Sequence, residues 1–335
     1  MKLAFAINDL ANERTDYTTT HLAMHALQKG HEVWYVEVGQ FELGMDDQLS
    51  ARARCLGRSP LDSRAEVMSS LVAADVRQLD LGELDILFLR NDPAADALTR
   101  PWAQLAGVNF GRLAERTGAL VVNSPDGLYH AVNKLYLQLF PSEVRPRTVI
   151  TRDFDAVRAF LDEVGGVAVV KPLRGSGGHN VFLIRQDDQY NLRQIFDAVC
   201  REGYLISQEY LPASSEGDTR VFLMDGDFIE TQGEIAAVHR VPARGDLRSN
   251  LTAGGRARKA AITQRVRKIA ELARPRLRED GMFFVGLDII GDRMVEVNVF
   301  SPGALIAAER VAGVEFGPRV IEGLERRLVH HRRED

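Results

Sequence analysis

Val167–Ile184 reads VAVVKPLRGSGGHNVFLI. Two short runs rich in β-branched residues flank a loop holding Gly175, Ser176, Gly177 and Gly178, a pattern that predicts strand–loop–strand. Glycine lets backbone N–H groups approach a ligand closely, and successive N–H groups make an anion nest. Lys171 stands just before the loop and can bring an ammonium to the same phosphates. The loop lacks the Lys-Ser/Thr that closes a Walker A motif. Asn180 occupies the place of the third glycine of a dinucleotide fingerprint, and a strand follows where that fingerprint needs a helix. Two readings remain: a glycine lid over a nucleoside triphosphate, or an ordinary hairpin loop with a solvated lysine.

The chain has 335 residues, room for two or three packed units. Hydrophobic residues make up 45% and charged residues 27%, which fits an ordinary globular protein. A net charge of −5 argues against nucleic acid or an anionic membrane as the main partner. Cys55 and Cys200, the only cysteines, make neither a disulfide framework nor a zinc site. No apolar run approaches a membrane span, and MKLAFAINDL reads as a first strand instead of a signal peptide, so a cytoplasmic protein is expected.

From the N-terminus, Lys2–Ile7 predicts a buried strand. Capping residues at Asp16–Thr20 open a helix that Gly30 closes, and Glu32–Val38 is the next strand. Asp16 and Thr18 thus fall beyond the carboxyl end of the first strand, where open α/β sheets bind ligands; a plain helix cap is the alternative for Thr18. Residues 61–76 read as a helix or a strand pair. Strand Asp85–Leu89 ends at Arg90-Asn91-Asp92-Pro93, where an arginine is either a carboxylate clamp or a surface ion pair. A helix at 105–117 and a strand at 119–122 complete a parallel-sheet unit ending near residue 123.

Helix 126–140, carrying Lys134, opens an α+β unit that extends to residue 204 and includes the glycine loop. The strand LISQEYL, 205–211, follows; its backbone from Gln208 through Glu209 and Tyr210 to Leu211 can offer an adenine its donor and acceptor. Asp225-Gly226 marks a hairpin. Residues 242–261 are rich in Gly and Arg, and a loop of that length is more often a functional lid than filler. A helix at 263–278 and a final helix at 318–329 are expected, with a frayed tail after them.

Phe283–Ser301, FFVGLDIIGDRMVEVNVFS, is the second informative stretch. Val285, Leu287 and Ile289, then Val295, Val297 and Val299, are apolar at every second position and must share a buried face. A three-residue connection at 291–293 sets Asp288 opposite Glu296, with Asn298 beside them. Facing carboxylates repel unless a cation lies between them, and three oxygen ligands suit Mg²⁺. The alternative is a solvated polar face.

Together, NSPDGL…NKL, VVKPLRGSGG, ISQEYLP…GDTRVFLMDG, RVPARGDLRSNLTAGGRA and FVGLDIIGDRMVEVNVFSP resemble bacterial glutathione synthetase, an ATP-grasp family. INDL…TDYTTTHLAMHALQKGHEV and FLRNDPAAD are similar to that family's substrate-binding domain. The likeness spans nearly the whole chain and is weakest over 40–80. It implies an ATP-grasp fold behind an N-terminal parallel-sheet domain, divided 1–123, 124–204 and 205–335. It implies an ATP-dependent carboxylate–amine ligase joining γ-glutamylcysteine to glycine through an acyl phosphate. ATP would be held by Lys134, Lys171, Gly175–Gly178 and Gln208–Leu211. Two Mg²⁺ ions, with Mn²⁺ a possible substitute, would be held by Asp288, Glu296 and Asn298. The catalytic cations would be Arg220, Arg240 and Arg248. Asp16, Thr18, Arg90, Asn91, Asn250, Ser301 and Gly303 would face the substrates. A dimer or tetramer is expected on the same grounds. The chain departs from the family's N-V-T-S-P-T-G at Asn298-Val299-Phe300-Ser301-Pro302-Gly303-Ala304, which leaves a different donor or acceptor open. A nucleotide-binding protein without catalysis is the rival from another class.

Overall fold

The structure is a computed structural model that describes every residue except 98, 176–179, 202, 244–248, 250, 252–253 and 335. Strand β1 (Lys2–Ile7) is apolar and buried almost throughout, as a strand covered on both faces must be. Helix α1 (Thr18–Gln28) follows, and β2 (Glu32–Leu43) returns parallel to β1. The 40–80 stretch is regular. Strand β2 continues to Leu43, and β3 (Leu49–Gly57) folds back on it. Ser63 caps α2 (Arg64–Ala73), and β4 (Val76–Asp80) pairs with β3. Strand β5 (Ile86–Leu89), α3 (Pro93–Asp96), α4 (Ala106–Glu115) and β6 (Leu120–Val122) complete a sheet ordered β4-β3-β2-β1-β5-β6. The expected parallel sheet is therefore parallel from β2 to β6 but antiparallel at β3 and β4. The short turn from β2 to β3 allows no other direction, since parallel pairing needs a long crossover.

The helix expected over 126–140 breaks in two. Helix α5 (Pro125–His130) stops, and Lys134–Leu139 forms a tighter 3₁₀ stretch capped by the Asn133 side chain, which accepts from Leu135 N–H. An asparagine side chain competing for backbone N–H groups ends one helix and starts the other. Strand β7 (Thr148–Thr151), α6 (Phe154–Glu163), β8 (Val167–Pro172), β9 (Phe182–Arg185), α7 (Gln189–Cys200) and β10 (Leu205–Glu209) make a second sheet, ordered β7-β10-β8-β9. Its core, including Val157, Phe160, Ala168, Val170, Ile184 and Leu205, stands apart from the others.

Strand β11 (Asp218–Met224) turns through Asp225-Gly226, both at positive φ, into β12 (Asp227–Phe228). Two short strands, β13 (Glu230–Thr231) and β14 (Glu234–Ile235), pair with each other beyond it. Strands β15 (Ala237–Val241) and β16 (Arg256–Lys259), helix α8 (Gln264–Glu279), and strands β17 (Phe284–Ile290) and β18 (Arg293–Asn298) follow. The third sheet runs β16-β15-β11-β17-β18. Helices α9 (Leu305–Ala312) and α10 (Gly317–Glu334) close the chain. Helix α10 continues through the tail expected to fray, because His331 contacts Gly118 O and Arg332 pairs with Asp85.

The first and third sheets share their apolar clusters. Buried Asn123 joins them. Its amide donates to Val299 O at 2.6 Å and to Phe284 O at 3.1 Å, and it accepts from Phe284 N–H at 2.8 Å. No helix among the described residues is long and apolar enough to cross a membrane.

Candidate active site

Alternation along β8 decides where Lys171 goes. Ala168, Val170 and Pro172 are buried, so Val167, Val169 and Lys171 share the opposite face. Lys171 lies beside Ile206 in the ladder, and its ammonium donates to Gln208 Oε1 at 3.2 Å. Lys134 donates to Gly175 O. Lys134, Lys171, Gly175, Ile206 and Gln208 line a cleft together with Glu296, Asn298, Phe300 and Ser301. Burial lowers Lys171 to about 8; Glu296 and Asp288 act the other way, and Lys134 adds to the lowering. Two lysines with carboxylates close by make a site for a polyphosphate and its counter-cation.

The hairpin pairs Asp288 with Glu296 as expected, but by another route. The connection has two residues, Gly291-Asp292, pairing Ile290 with Arg293 and Ile289 with Met294. A bulge between Asp288 and Ile289 then restores the odd-with-odd, even-with-even register. Met294 therefore fills the core position expected of Val295, and Val295 lines the cleft.

Asp288 is buried in a chain of ion pairs. Arg220 grips it at 2.7 Å through both Nε and Nη2, and Arg240 Nη2 lies 2.9 Å away. Arg240 in turn grips Asp218 at 2.6 and 2.7 Å, and Ser249 donates to the same carboxylate. Burial opposes charge on Asp288, yet Arg220 and Arg240 hold its carboxyl well below the usual range. Burial likewise opposes charge on Arg240, and Asp288 and Asp218 raise it nonetheless. Both arginines expected as free cations are thus committed to carboxylates. Asp218 is a member of this chain that the motif reading missed; its signal is its place on β11 two residues before Arg220.

The oxygen groups of Glu296, Asn298 and Asp288, expected to hold metal, are of the kind that suits a hard divalent cation. Glu296 has no hydrogen bond or salt bridge among the described residues. Asn298 donates weakly to Asp288 Oδ2 at 3.3 Å and to Gly286 O at 3.4 Å, which turns its amide nitrogen away from ligand duty. Among the described residues Asp288 Oδ1 accepts a hydrogen bond from Arg220 Nε only, which leaves it a lone pair.

A second polar group surrounds Arg90, which is buried, makes no contact ion pair among the described residues and feels the charge of Glu13. It donates to Thr19 Oγ1 at 3.3 Å and to Pro302 O at 3.2 Å, and it lies 5.4 Å from the rings of both Phe88 and Phe284. Burial lowers it to about 10. Arg90 Nη1, Thr18 Oγ1 and both amide atoms of Asn91 are buried with no hydrogen-bond partner among the described residues. Such groups call for a polar ligand. Gly107 makes room for Asn91, since a Cβ there would lie 2.4 Å from Asn91 Oδ1. Burial raises Glu13 to about 7, and its Oε1 accepts from Thr20 at 2.8 Å. The motif reading also missed Glu13. Its signal is its position in the loop beyond the end of β1.

Segment 301–303 joins the two groups: Pro302 O faces Arg90, and Gly303 O accepts from Arg220 at 3.3 Å. Asp16 is exposed in the turn before α1. Glu209 and Leu211 use backbone groups locally, Glu209 N–H to Arg147 O and Leu211 O from Ser214 N–H, and neither they nor Tyr210 line the cleft. Ser176, Gly177, Gly178, Arg248 and Asn250 lie outside the described residues.

Solved structures share this fold. D-cycloserine synthetase DcsG matches with a TM-score of 0.66 at 16% identity, over 98% of this chain and 100% of its own. The ATP-grasp ligase PsnB, solved with a minimal precursor, Mg and ADP, matches with a TM-score of 0.58 at 17% identity, over 97% and 98%. The fold is the ATP-grasp fold. Residues 1–129 match the prokaryotic glutathione synthetase N-terminal domain and 133–313 its ATP-grasp domain. Glutathione synthetase of Synechococcus elongatus is 35% identical over 332 residues, 97% of this chain and 98% of the relative; that of Escherichia coli K12 is 32% identical over 331 residues, 98% and 99%. The chain belongs to the prokaryotic glutathione synthetase family. It is accordingly an ATP-dependent C–N ligase that uses a divalent metal.

Proposed function

We propose that this enzyme joins γ-glutamylcysteine to glycine, forming glutathione with release of ADP and phosphate. The observation that carries the reading is the cleft that Lys134, Lys171 and Gln208 line together with Glu296 and Asn298, in a chain matching the family over both domains. Lys134 and Lys171 neutralise the ATP phosphates. Gln208–Leu211 hold the adenine. Asp288, Glu296 and Asn298 hold two Mg²⁺ ions, replaceable by Mn²⁺; bound metal neutralises phosphate charge. Arg220 and Arg240 keep Asp288 ionised and in place, and Arg248 supplies a cation to the transferring phosphoryl group. Arg90, Asn91, Asp16 and Thr18 bind the dipeptide, whose cysteinyl carboxylate attacks the γ-phosphate. Asn250, Ser301 and Gly303 border the acceptor, whose amine attacks the acyl phosphate and expels phosphate. The transfer depends on positioning and electrostatics, so no nucleophilic side chain is needed. The 124–204 unit, with its separate core, closes with loop 242–261 to exclude water from the acyl phosphate.

A ligase of the same mechanism with another donor or acceptor is the second reading. Phe300, buried at the cleft where the family has threonine, favours it. Coupled ADP release with γ-glutamylcysteine and glycine, with and without Mg²⁺, separates them. Turnover with another amine and none with glycine would sink the glutathione reading; ATP binding without substrate-dependent phosphate release would sink catalysis altogether. We place the enzyme in the cytoplasm as a dimer or tetramer, which light scattering on the purified protein tests.

A further inference from the structure

His21 and His25 stand one turn apart on α1, so their rings share a face. Glu309 of α9 meets them. Its Oε2 lies 2.7 Å from His21 Nε2, which is 3.2 Å from His25 Nε2. Ligand atoms of all three fall within 4.8 Å of one another, the one such group of His, Cys, Asp and Glu among the described residues. None of the three lines the catalytic cleft.

Counting protons exposes a conflict. Gln28 donates through Nε2 to Leu61 O at 3.4 Å, which directs its Oε1 to His25 Nδ1, 3.0 Å away. His25 therefore keeps its proton on Nδ1 and presents a lone pair at Nε2. Glu309 Oε2 presents another. Both face His21 Nε2, which carries at most one proton, so at least one of the two acceptors is left without a donor there. A divalent cation among the three atoms removes the conflict. Ligands at Zn–N distances of ~2.0–2.1 Å on tetrahedral corners stand about 3.3 Å apart, close to the His–His separation.

Two of the three ligands have supporting contacts, while His21 Nδ1 is buried with no hydrogen-bond partner among the described residues. Glu309 Oε1 accepts from the N–H groups of Phe316 at 2.7 Å and Gly317 at 2.8 Å, which fixes the carboxylate. Gln28 fixes His25 in the same way. A Cβ at Gly317 would lie 2.3 Å from His25 Cδ2 and 2.7 Å from its Nε2, so only glycine leaves space beside that nitrogen.

We propose that His21, His25 and Glu309 bind Zn²⁺, with a water completing the tetrahedron, and that the ion ties α1 to the C-terminal helices. Two imidazoles and a carboxylate suit zinc and not Mg²⁺, so the site is independent of the catalytic metal. Its position steadies the helix whose Thr19 accepts from Arg90.

The test uses the full-length protein, stripped with chelator, returned to Mg²⁺ buffer and given Zn²⁺ alone. Elemental analysis after dialysis is expected to find one equivalent retained per chain, and the thermal midpoint to rise. His25→Gln and Glu309→Gln lose that equivalent. Gln28→Ala, on an exposed residue, weakens zinc binding about 10–100-fold. Glu296→Gln retains it, which distinguishes this site from the cleft. Wild-type protein that retains no zinc overturns the proposal, even if the buried variants fail to fold. So does equal retention by folded His25→Gln, unchanged affinity in Gln28→Ala, or loss of the equivalent in Glu296→Gln.

Discussion

Lys171 carries the sharpest consequence of burial. In the free enzyme its ammonium is present below about pH 8 and lost above it. On the alkaline side kcat/KM for ATP should therefore fall with an inflection near that value, and Lys171→Ala should flatten that limb. At neutral pH, Lys171→Ala and Glu296→Ala should each lower activity about 10²–10³-fold with folding kept, read as phosphate release and circular dichroism. Unchanged release in either variant would remove that residue from the site. Ala304 is a second residue-scale case. It holds φ +74° at the start of α9, where the family pattern has glycine. A left-handed alanine costs about 1–2 kcal/mol, and glycine returns part of that as chain entropy. Ala304→Gly should raise the thermal midpoint by roughly 1–2 °C in calorimetry; a lower midpoint contradicts it. The lysines, the carboxylates and the Phe300 departure were legible in the sequence because chemistry at fixed spacing needs no fold to be seen. Glu13 and Asp218 were not, because a carboxylate becomes notable only when burial or a partner found in space changes it.

Among the elements, β11, β15 and β17 are bound through Asp288. Its folded pKa lies well below the ~3.9 of an exposed aspartate. A depressed carboxyl stabilises the fold fully above its unfolded pKa and loses that contribution as pH falls toward the folded value. Asp288→Asn leaves Arg220 and Arg240 with a neutral partner. It should cost about 3–5 kcal/mol near neutrality in urea unfolding. The gap to wild type should narrow below about pH 4, where the wild-type carboxylate is protonated on unfolding; a gap that stays constant with pH contradicts this account. The β17–β18 hairpin shows how far element-level reading reaches. Alternation required Asp288 to face Glu296, and it does. Alternation could not distinguish a longer turn from a tight turn plus a bulge, since both return the same side chains to the same face.

At the scale of the whole molecule, the second sheet keeps its own core while the first and third share theirs. The separate core predicts that the unit carrying Lys171 moves as a body against the unit carrying Glu296. Adding a non-hydrolysable ATP analogue with Mg²⁺ should reduce the radius of gyration in small-angle scattering, and an unchanged radius would argue for a preformed site. By itself the sequence determined the three sheet-bearing stretches, the lysine and carboxylate sets and the ligase class, because periodicity and motif order are local properties of the chain. Only the tertiary structure decided that β3 and β4 turn antiparallel, that the 126–140 helix breaks at Asn133 and that α10 runs to the end of the chain. It alone committed Arg220 and Arg240 to carboxylates. Those outcomes depend on which groups meet across distant segments, and desolvation then sets their charge and their partners.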